Sequence, residues 1–290
     1  MLFDNLKTQR YCSLFDLPRG VPFEFLEADV CHDDLERLFN GIDAVIHLAA
    51  VTNAAGSFEI QEEVECVNFA GTERVARACA KMGCRLIALS TTSVYGVSQG
   101  SMDEDCPPEQ LKPQSPYVES KLRVERLRVE LGAAVGLRFV ICQFGTIYGT
   151  SIGMRFHTAV NKFVWQSCFG RPLTVWRTAL DQQRPYLDLG DAVRALRFLL
   201  ETDRFENTVY NVVTENATVR KIVDTIRRLV PDVAVQLVDS RIMNQLSYTV
   251  RCERFRVSWK FAAGHRRDGG AVARNGPSAE PARLLPRVFR

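Results

Sequence analysis

Residues 85–96, RLIALSTTSVYG, join a short apolar strand to a cluster of hydroxyl side chains. The run Leu86–Leu89 is continuously apolar, as in a strand that is covered on both faces of a parallel sheet. Ser90, Thr91 and Thr92 follow directly. Parallel sheets bind ligands at the carboxyl ends of their strands, so this stretch predicts both a fold and the place of a site.

The segments on either side repeat the alternation of strand and helix. Strand patterns and helical patterns are told apart by the period of their apolar residues. Such alternation predicts a parallel, doubly wound sheet. The strand patterns are VPFEFLEADV (21–30), DAVIHLAA (43–50) and LRFVICQFG (137–145), and the helical ones are HDDLERLFNG (32–41), residues 59–82 and YVESKLRVERLRVEL (117–131).

The pattern of strands and helices loosens after Gly149, where GMRFHTAVNKFVWQSCFG (153–170) predicts a helix. This change predicts two domains. Residues 1–150 form the main sheet domain, and residues 151–256 form mainly a smaller lobe, from which 186–201 returns to the main domain. Residues 257–290 are rich in Gly, Ala, Pro and Arg and fit neither period. A flexible tail and a change of reading frame both explain that composition.

Composition excludes several classes of protein. The 290 residues are 46% hydrophobic and 24% charged, as in ordinary globular proteins, and the net charge is only +3. Basic and acidic residues are interleaved, so nothing points to nucleic acid or to a membrane surface. No apolar run reaches the ~18 residues of a membrane span. The nine cysteines lack metal or redox spacing, which predicts a cytoplasmic protein with reduced thiols and no metal site.

The stretch SPYVESK (115–121) predicts an acid–base pair. Tyr117 and Lys121 are four residues apart on a predicted helix, so both side chains lie on one face. Ser115 and Pro116 suit the N-cap and the first helical position. A nearby ammonium stabilises a phenolate and lowers the pKa of tyrosine, which a general base requires. The alternative is a surface tyrosine and lysine on an amphipathic helix.

Seven motifs in order resemble the extended short-chain dehydrogenase/reductase family, in particular its NAD-dependent nucleotide-sugar epimerases and dehydratases of the UDP-glucose 4-epimerase type. The resemblance covers residues 2–255. It implies an α/β Rossmann-like doubly wound parallel sheet, here without its first β-α unit, and a smaller α/β substrate lobe. The motifs are DNL (4–6), EADV (27–30), HLAA (47–50), VNFAGT (67–72), STTSVYG (90–96), PYVESK (116–121) and QRPYLDLGDA (183–192).

The resemblance assigns roles residue by residue. Thr91 becomes the hydroxyl partner of the substrate, Tyr117 the catalytic base, and Lys121 the residue that lowers the tyrosine pKa and holds the nicotinamide ribose. An acid such as Asp4 at the adenosine ribose repels a 2′-phosphate, so NAD is favoured over NADP. The implied NAD-binding residues are Asp4, Asn5, Asp29, Val30, Leu48, Ala49, Ala50, Asn68, Tyr117, Lys121 and Phe144.

For a nucleotide-sugar substrate, the resemblance points first to Arg184, because a guanidinium grips a diphosphate in a bidentate fork. Thr91, Thr92, Thr146, Asn161 and Arg177 are the other implied substrate-binding residues. His47 and His157 are predicted to be structural. A homodimer through helices 59–82 and 117–131 is also implied.

The expected reaction is epimerisation through a keto-sugar, in cell-surface polysaccharide synthesis. Dehydratases of this family carry an acid and a base directly after the catalytic threonine, whereas Thr92 and Ser93 stand here. Neither hydroxyl serves as a neutral-pH acid or base. A reductase, a decarboxylase or a dehydratase of the same family stays open.

The opening MLFDNL predicts that a piece of the fold is missing. It resembles the second strand of a NAD-binding domain, which normally follows a first strand, a glycine-rich loop and a helix. The loop supplies amides to the pyrophosphate, but the glycines before residue 60 are only Gly20, Gly41 and Gly56. A non-catalytic or inactive fragment is therefore the alternative to an enzyme.

Overall fold

The computed structural model of the chain describes residues 1–15, 17–239 and 246–259. The strands are β1 Leu2–Asp4, β2 Phe25–Glu27, β3 Ala44–His47, β4 Arg85–Thr91, β5 Val97–Met102, β6 Phe139–Phe144, β7 Thr146–Tyr148, β8 Leu173–Trp176, β9 Gln183–Asp188, β10 Thr208–Val212, β11 Glu215–Thr218, β12 Val235–Val238 and β13 Ser247–Val250. The helices are α1 Leu35–Leu38, α2 Gln61–Val64, α3 Gly71–Met82, α4 Pro116–Val135, α5 Ala159–Cys168, α6 Leu189–Glu201, α7 Val219–Leu229 and α8 Glu253–Trp259.

A four-stranded parallel sheet in the order β10–β6–β4–β3 forms the centre of the molecule. Its middle strands are almost fully buried, with β6 buried at every residue. The register pairs Thr91 with Phe144, so the carboxyl ends of β4 and β6 end side by side. The predicted Rossmann-like parallel α/β fold is thus confirmed.

The long helix α4 starts as its sequence predicts. The Ser115 side chain accepts a hydrogen bond from the Val118 amide at 3.4 Å, and Pro116 occupies the first turn. The helix ends at Gly136, whose φ of 65° is a left-handed value that suits glycine. This start places Tyr117 in the first turn of α4, facing the carboxyl ends of the sheet strands.

The strands β1 and β2 stand apart from the central sheet. They pair with each other in parallel, and within the described residues neither one hydrogen-bonds to β3. Phe3 still packs on Phe39 of the main core, with ring centroids 6.0 Å apart. The edge of β3 leaves Ile46 37% and Leu48 59% exposed. Strand pairing is therefore interrupted between β1 and β3 in the described part of the chain, and the missing strand stays a prediction.

The remaining strands lie outside the central sheet. The three-stranded sheet β11–β9–β7 and the pair β12–β8 pack around one apolar cluster, and the pair β13–β5 packs in another. Helix α6 contributes Ala192, Ala195 and Leu199 to a cluster shared with β6 and β10 of the central sheet. The predicted boundaries at 150 and 186–201 stay predictions, and of the predicted tail only 257–259 lie within the described residues, at the end of α8.

Two elements differ from the sequence prediction. The stretch from Thr91 to Pro116 is rich in Ser, Gly and Pro, which predicts a loop, but residues 97–102 form strand β5 because its partner β13 comes from far along the chain. Helix α5 begins at Ala159 and not near Gly153. The reason is Asn161, whose amide donates to the Arg155 carbonyl at 2.9 Å and accepts from the Gly149 amide at 3.2 Å, which holds the preceding residues as a loop.

Gly96 ends the hydroxyl-rich turn and tolerates no side chain. Its backbone has φ 64° and ψ −117°, and an added Cβ would lie 2.2 Å from the carbonyl oxygen of Lys112. We expect Gly96→Ala to lower the free energy of unfolding by about 2 kcal/mol or more, from backbone strain and the collision together. Urea unfolding measures this, with Gly100→Ala as the control because nothing lies within 4 Å of its added Cβ. Equal losses in the two variants would contradict the prediction.

Candidate active site

The hydroxyl cluster after β4 lies at the edge of the central sheet. Thr91 is the last residue of β4, and its Oγ1 accepts a hydrogen bond from the Ser93 amide at 3.2 Å, which starts a single turn over Thr92–Tyr95. The Thr92 hydroxyl donates to the Phe144 carbonyl at 3.3 Å and lies 3.2 Å from the Tyr248 hydroxyl. The sequence predicted the cluster, and the structure adds Tyr248 from β13.

Tyr117 and Thr91 meet at this edge, as their spacing in the sequence predicts. Burial raises the pKa of Tyr117 to about 12, and a hydrogen bond with the Thr91 side chain and the charge of Arg155 both oppose that rise. The nearby Tyr248 also raises the pKa of Tyr117. The phenol is therefore neutral at pH 7, and it needs more positive charge close to it before it can act as a base.

Lys121 lies one helical turn beyond Tyr117 and is buried, at 5% exposure. Burial lowers the pKa of Lys121 to about 8, against the opposing charge of Glu125. Its charge also helps burial to lower the pKa of His47 to about 3, so His47 is neutral. The His47 ring nitrogen Nε2 is 2.9 Å from the Thr72 hydroxyl, which agrees with the structural role predicted for it.

Asn68 connects the loop after β3 to helix α4. It is fully buried in a wide helical turn over Glu65–Ala70, a kind of turn often found at functional sites. Its amide accepts from the Val51 amide at 2.8 Å and donates to the Val51 carbonyl at 3.0 Å and to the Ser120 hydroxyl at 3.3 Å. Asn68 therefore fixes the segment that follows Leu48, Ala49 and Ala50, of which the first two are exposed.

A second group of predicted residues lies at the carboxyl ends of β1 and β2. The Asp4 carboxylate accepts from the Leu6 amide at 2.7 Å, and the Asn5 amide donates to the Asp29 carboxylate at 3.0 Å. That hydrogen bond is the main cause that lowers the pKa of Asp29. Val30 beside it is buried. Asp4 and Asn5 are exposed to solvent and so are accessible to a ligand.

The residues predicted to bind substrate have different surroundings. Arg184 on β9 lies near Tyr248, since its charge counteracts the burial that raises the pKa of that tyrosine. Thr146 on β7 pairs with Tyr186 of β9. Asn161 is buried, and its side-chain amide hydrogen-bonds the backbone of Gly149 and Arg155 in the loop before α5. Arg177 forms an exposed ion pair with Asp239 at 2.9 Å.

Sequence reasoning missed Arg155 and Tyr248. Arg155 donates to the Thr52 hydroxyl and its charge acts on Tyr117, while Arg10 binds the neighbouring carbonyl of Gly153 at 2.9 Å. Both residues come from loop or strand segments without a motif, so only the tertiary fold brings them to the site. In the part of the chain that the structure describes, no group of His, Cys, Asp or Glu could hold a metal ion, and no helix could cross a membrane.

Two known proteins are similar to this chain in sequence. A trifunctional UDP-glucose 4,6-dehydratase/UDP-4-keto-6-deoxy-D-glucose 3,5-epimerase/UDP-4-keto-L-rhamnose-reductase of Arabidopsis thaliana is 29% identical over 261 residues, and an uncharacterized UDP-glucose epimerase of Bacillus subtilis is 29% identical over 209. The matches cover 82% and 70% of this chain but 37% and 64% of the relatives. The chain thus spans less than two thirds of either relative's length.

Solved structures share the fold. MoeE5 in complex with UDP-glucuronic acid and NAD has a TM-score of 0.76 and 26% identity, and the match covers 86% of this chain and 83% of MoeE5. The UDP-glucuronic acid 4-epimerase of Bacillus cereus has a TM-score of 0.80 and 24% identity, covering 98% and 85%. The model of the NAD dependent epimerase/dehydratase family matches residues 3–212. This chain belongs to the NAD-dependent epimerase/dehydratase family.

Proposed function

We propose that this chain serves in the NAD-dependent epimerisation of a nucleotide sugar at C4 through a keto-sugar, in the cytoplasm, for cell-surface polysaccharide synthesis. The observation that carries the proposal is the contact of Thr91 with Tyr117 one turn from buried Lys121. Thr92 and Ser93 follow Thr91 in place of an acid and base pair. The relatives include both epimerases and dehydratases, and the absence of this acid and base pair favours epimerisation.

The described residues match only part of a NAD molecule. Asp4 and Asn5 suit the adenosine ribose, and Asp29 and Val30 suit the adenine. Lys121 and Tyr117 suit the nicotinamide ribose. The other residues proposed to line the cofactor are Leu48, Ala49, Ala50, Asn68 and Phe144. The pyrophosphate needs amides from a glycine-rich turn, and no such turn follows β1 or β3 in the described part of the chain. We therefore propose that the described residues bind the two ends of NAD and lack the groups that would bind its pyrophosphate.

The chain's own residues supply proton transfer and orientation. Tyr117 takes the proton of the sugar hydroxyl, and Thr91 hydrogen-bonds the same oxygen. Lys121 and Arg155 stabilise the phenolate by their charge. Arg184 and Thr146 face the substrate, while Thr92, which is buried, and Asn161 act through the backbone segments that their side chains hold. Lys121 and Tyr117 would hold the nicotinamide ribose of NAD, whose chemistry would be reversible hydride transfer at the sugar carbon.

The reaction type can be tested by the product. We expect UDP-glucose or UDP-glucuronic acid, incubated with NAD and this chain preceded by a glycine-rich β-α unit, to give the C4 epimer. Hydroxyls at positions 92 and 93 cannot carry the acid–base steps of water elimination at neutral pH. Nuclear magnetic resonance of the products distinguishes the outcomes. A 4-keto-6-deoxy sugar among them would contradict epimerisation and favour a dehydratase.

The interrupted sheet favours a second candidate, a non-catalytic protein that retains the family fold. In that case the chain would bind nucleotide sugar without NAD. Calorimetric binding of nucleotide sugar by the chain alone, together with no turnover when the glycine-rich unit is added, would favour this candidate over the epimerase.

A homodimer is the partner arrangement that we propose. Helix α2, the wide turn after it and α4 form a surface groove lined by Gln61, Glu65, Cys66, Pro116 and Arg123. Arg123 lies over the Phe69 ring at 3.8 Å and pairs with Glu65 at 2.5 Å. Analytical ultracentrifugation of the wild-type chain and of Arg123→Glu tests this surface, since the substitution should reduce the dimer fraction.

A further inference from the structure

Glu125 is a buried carboxylate that the proposed mechanism does not use. It lies on α4 four residues after Lys121, and the two side chains are 9% and 5% exposed. Buried acids and lysines are rare unless they are paired. Side chains four apart on a helix have Cβ atoms about 5–6 Å from each other, close enough for their charges to interact strongly in the interior.

The surroundings of Glu125 suit an ionised carboxylate. The Gln143 amide donates to its two oxygens at 2.8 and 2.9 Å, and the Ser90 hydroxyl donates to one of them. The Tyr95 hydroxyl donates to the Gln143 carbonyl oxygen at 2.9 Å, which fixes the orientation of that amide. The Gln143 and Ser90 contacts each give the carboxylate a donor, as its charged form requires.

A buried cation needs an anion, and Glu125 is a buried carboxylate one helical turn after Lys121 whose charge acts on it. Among the described residues, the charge of Lys121 also acts on His47 of β3, and Tyr117 lies one turn before Lys121 on α4. His47 is neutral because burial lowers its pKa to about 3, and Tyr117 is neutral because burial raises its pKa to about 12. Burial lowers the pKa of Lys121, and the negative charge of Glu125 raises it.

We propose that Glu125, held by Ser90 and Gln143, is the counter-ion that positions Lys121 and keeps its ammonium charged next to Tyr117. The role of Lys121 toward Tyr117 rests on the proposed function. The pairing of Glu125 with Lys121 does not, since it can be measured in the chain without substrate or cofactor.

The test follows the titration of Lys121 in the full chain. Lysine labelled with ¹³C at Cε is titrated by nuclear magnetic resonance over about pH 6 to 11, a range that includes the ordinary lysine pKa, and the Lys121 signal is assigned with Lys121→Arg. The wild-type midpoint is expected at about 8. In Glu125→Gln we expect it to fall by about one pH unit or more. In Glu130→Gln, an exposed acid of the same helix, it should not move.

An unchanged Lys121 midpoint in Glu125→Gln would overturn the proposal. If Glu125→Gln does not fold, the double variant Lys121→Met/Glu125→Gln decides. Recovery of the folded chain, followed by circular dichroism, supports a charge pair, because the uncompensated ammonium has been removed. Failure of the double variant to fold would show that Glu125 serves the core independently of Lys121. Absence of epimerase activity affects none of these readouts.

Discussion

Joining a strand, a glycine-rich turn and a helix ahead of Met1 is expected to raise the affinity of this chain for NAD by at least ~100-fold, since two or more amide hydrogen bonds to a charged pyrophosphate contribute about 1.5–3 kcal/mol each. The added strand would occupy the interruption between β1 and β3, where both strands have one unpaired edge among the described residues. Its turn would supply the amides that the described residues lack.

Isothermal calorimetry with NAD measures both proteins under identical conditions. The matched control carries the same added unit with each glycine of the turn replaced by alanine, which restores the strand but crowds the approach to the pyrophosphate. We expect that control to fold as well as the glycine version and to bind as weakly as the chain alone. Micromolar NAD binding by the chain alone would contradict the prediction, because it would mean that the present residues are sufficient.

The central sheet was predictable because its strands are long apolar runs. Residues 85–91 and 139–144 are covered on both faces, so local composition alone determines their role. The pairing of β5 with β13 was not predictable in this way. The sequence VSQGSM has no regular alternation, and it forms a strand because β13, about 150 residues further on, lies beside it.

The residues of the candidate site also divide into those that local sequence predicts and those that only tertiary contacts bring together. Thr91, Tyr117 and Lys121 belong to a strand end and one helix face, where spacing determines geometry, and the sequence located them. Arg155 and Tyr248 approach from segments whose position only the packed lobe determines. The family resemblance implied that Asn161 binds the substrate. In the structure its side-chain amide hydrogen-bonds the loop that carries Arg155.

Tyr117→Phe is expected to reduce epimerisation by about 10³-fold in the chain that carries the added glycine-rich unit, within the range that general acid–base groups contribute. Phenylalanine keeps the ring and its packing but has no oxygen to take the proton. Because the pKa of Tyr117 is raised to about 12 in this chain, the wild-type rate should increase with pH as long as Lys121 stays charged. Loss of the Lys121 proton near pH 8 should then limit the rate.

Tyr11→Phe is the control, since Tyr11 is 54% exposed and its loss should leave the rate unchanged. The decisive comparison is between rate and affinity. A positioned base acts in the transition state, so Tyr117→Phe should lower kcat while NAD affinity by calorimetry changes only a few-fold. If Tyr117→Phe and wild type turned over UDP-glucose at the same rate, proton abstraction would belong to another group. Thr91 and Lys121 would then retain only binding roles, and the epimerase proposal would lose the contact on which it depends.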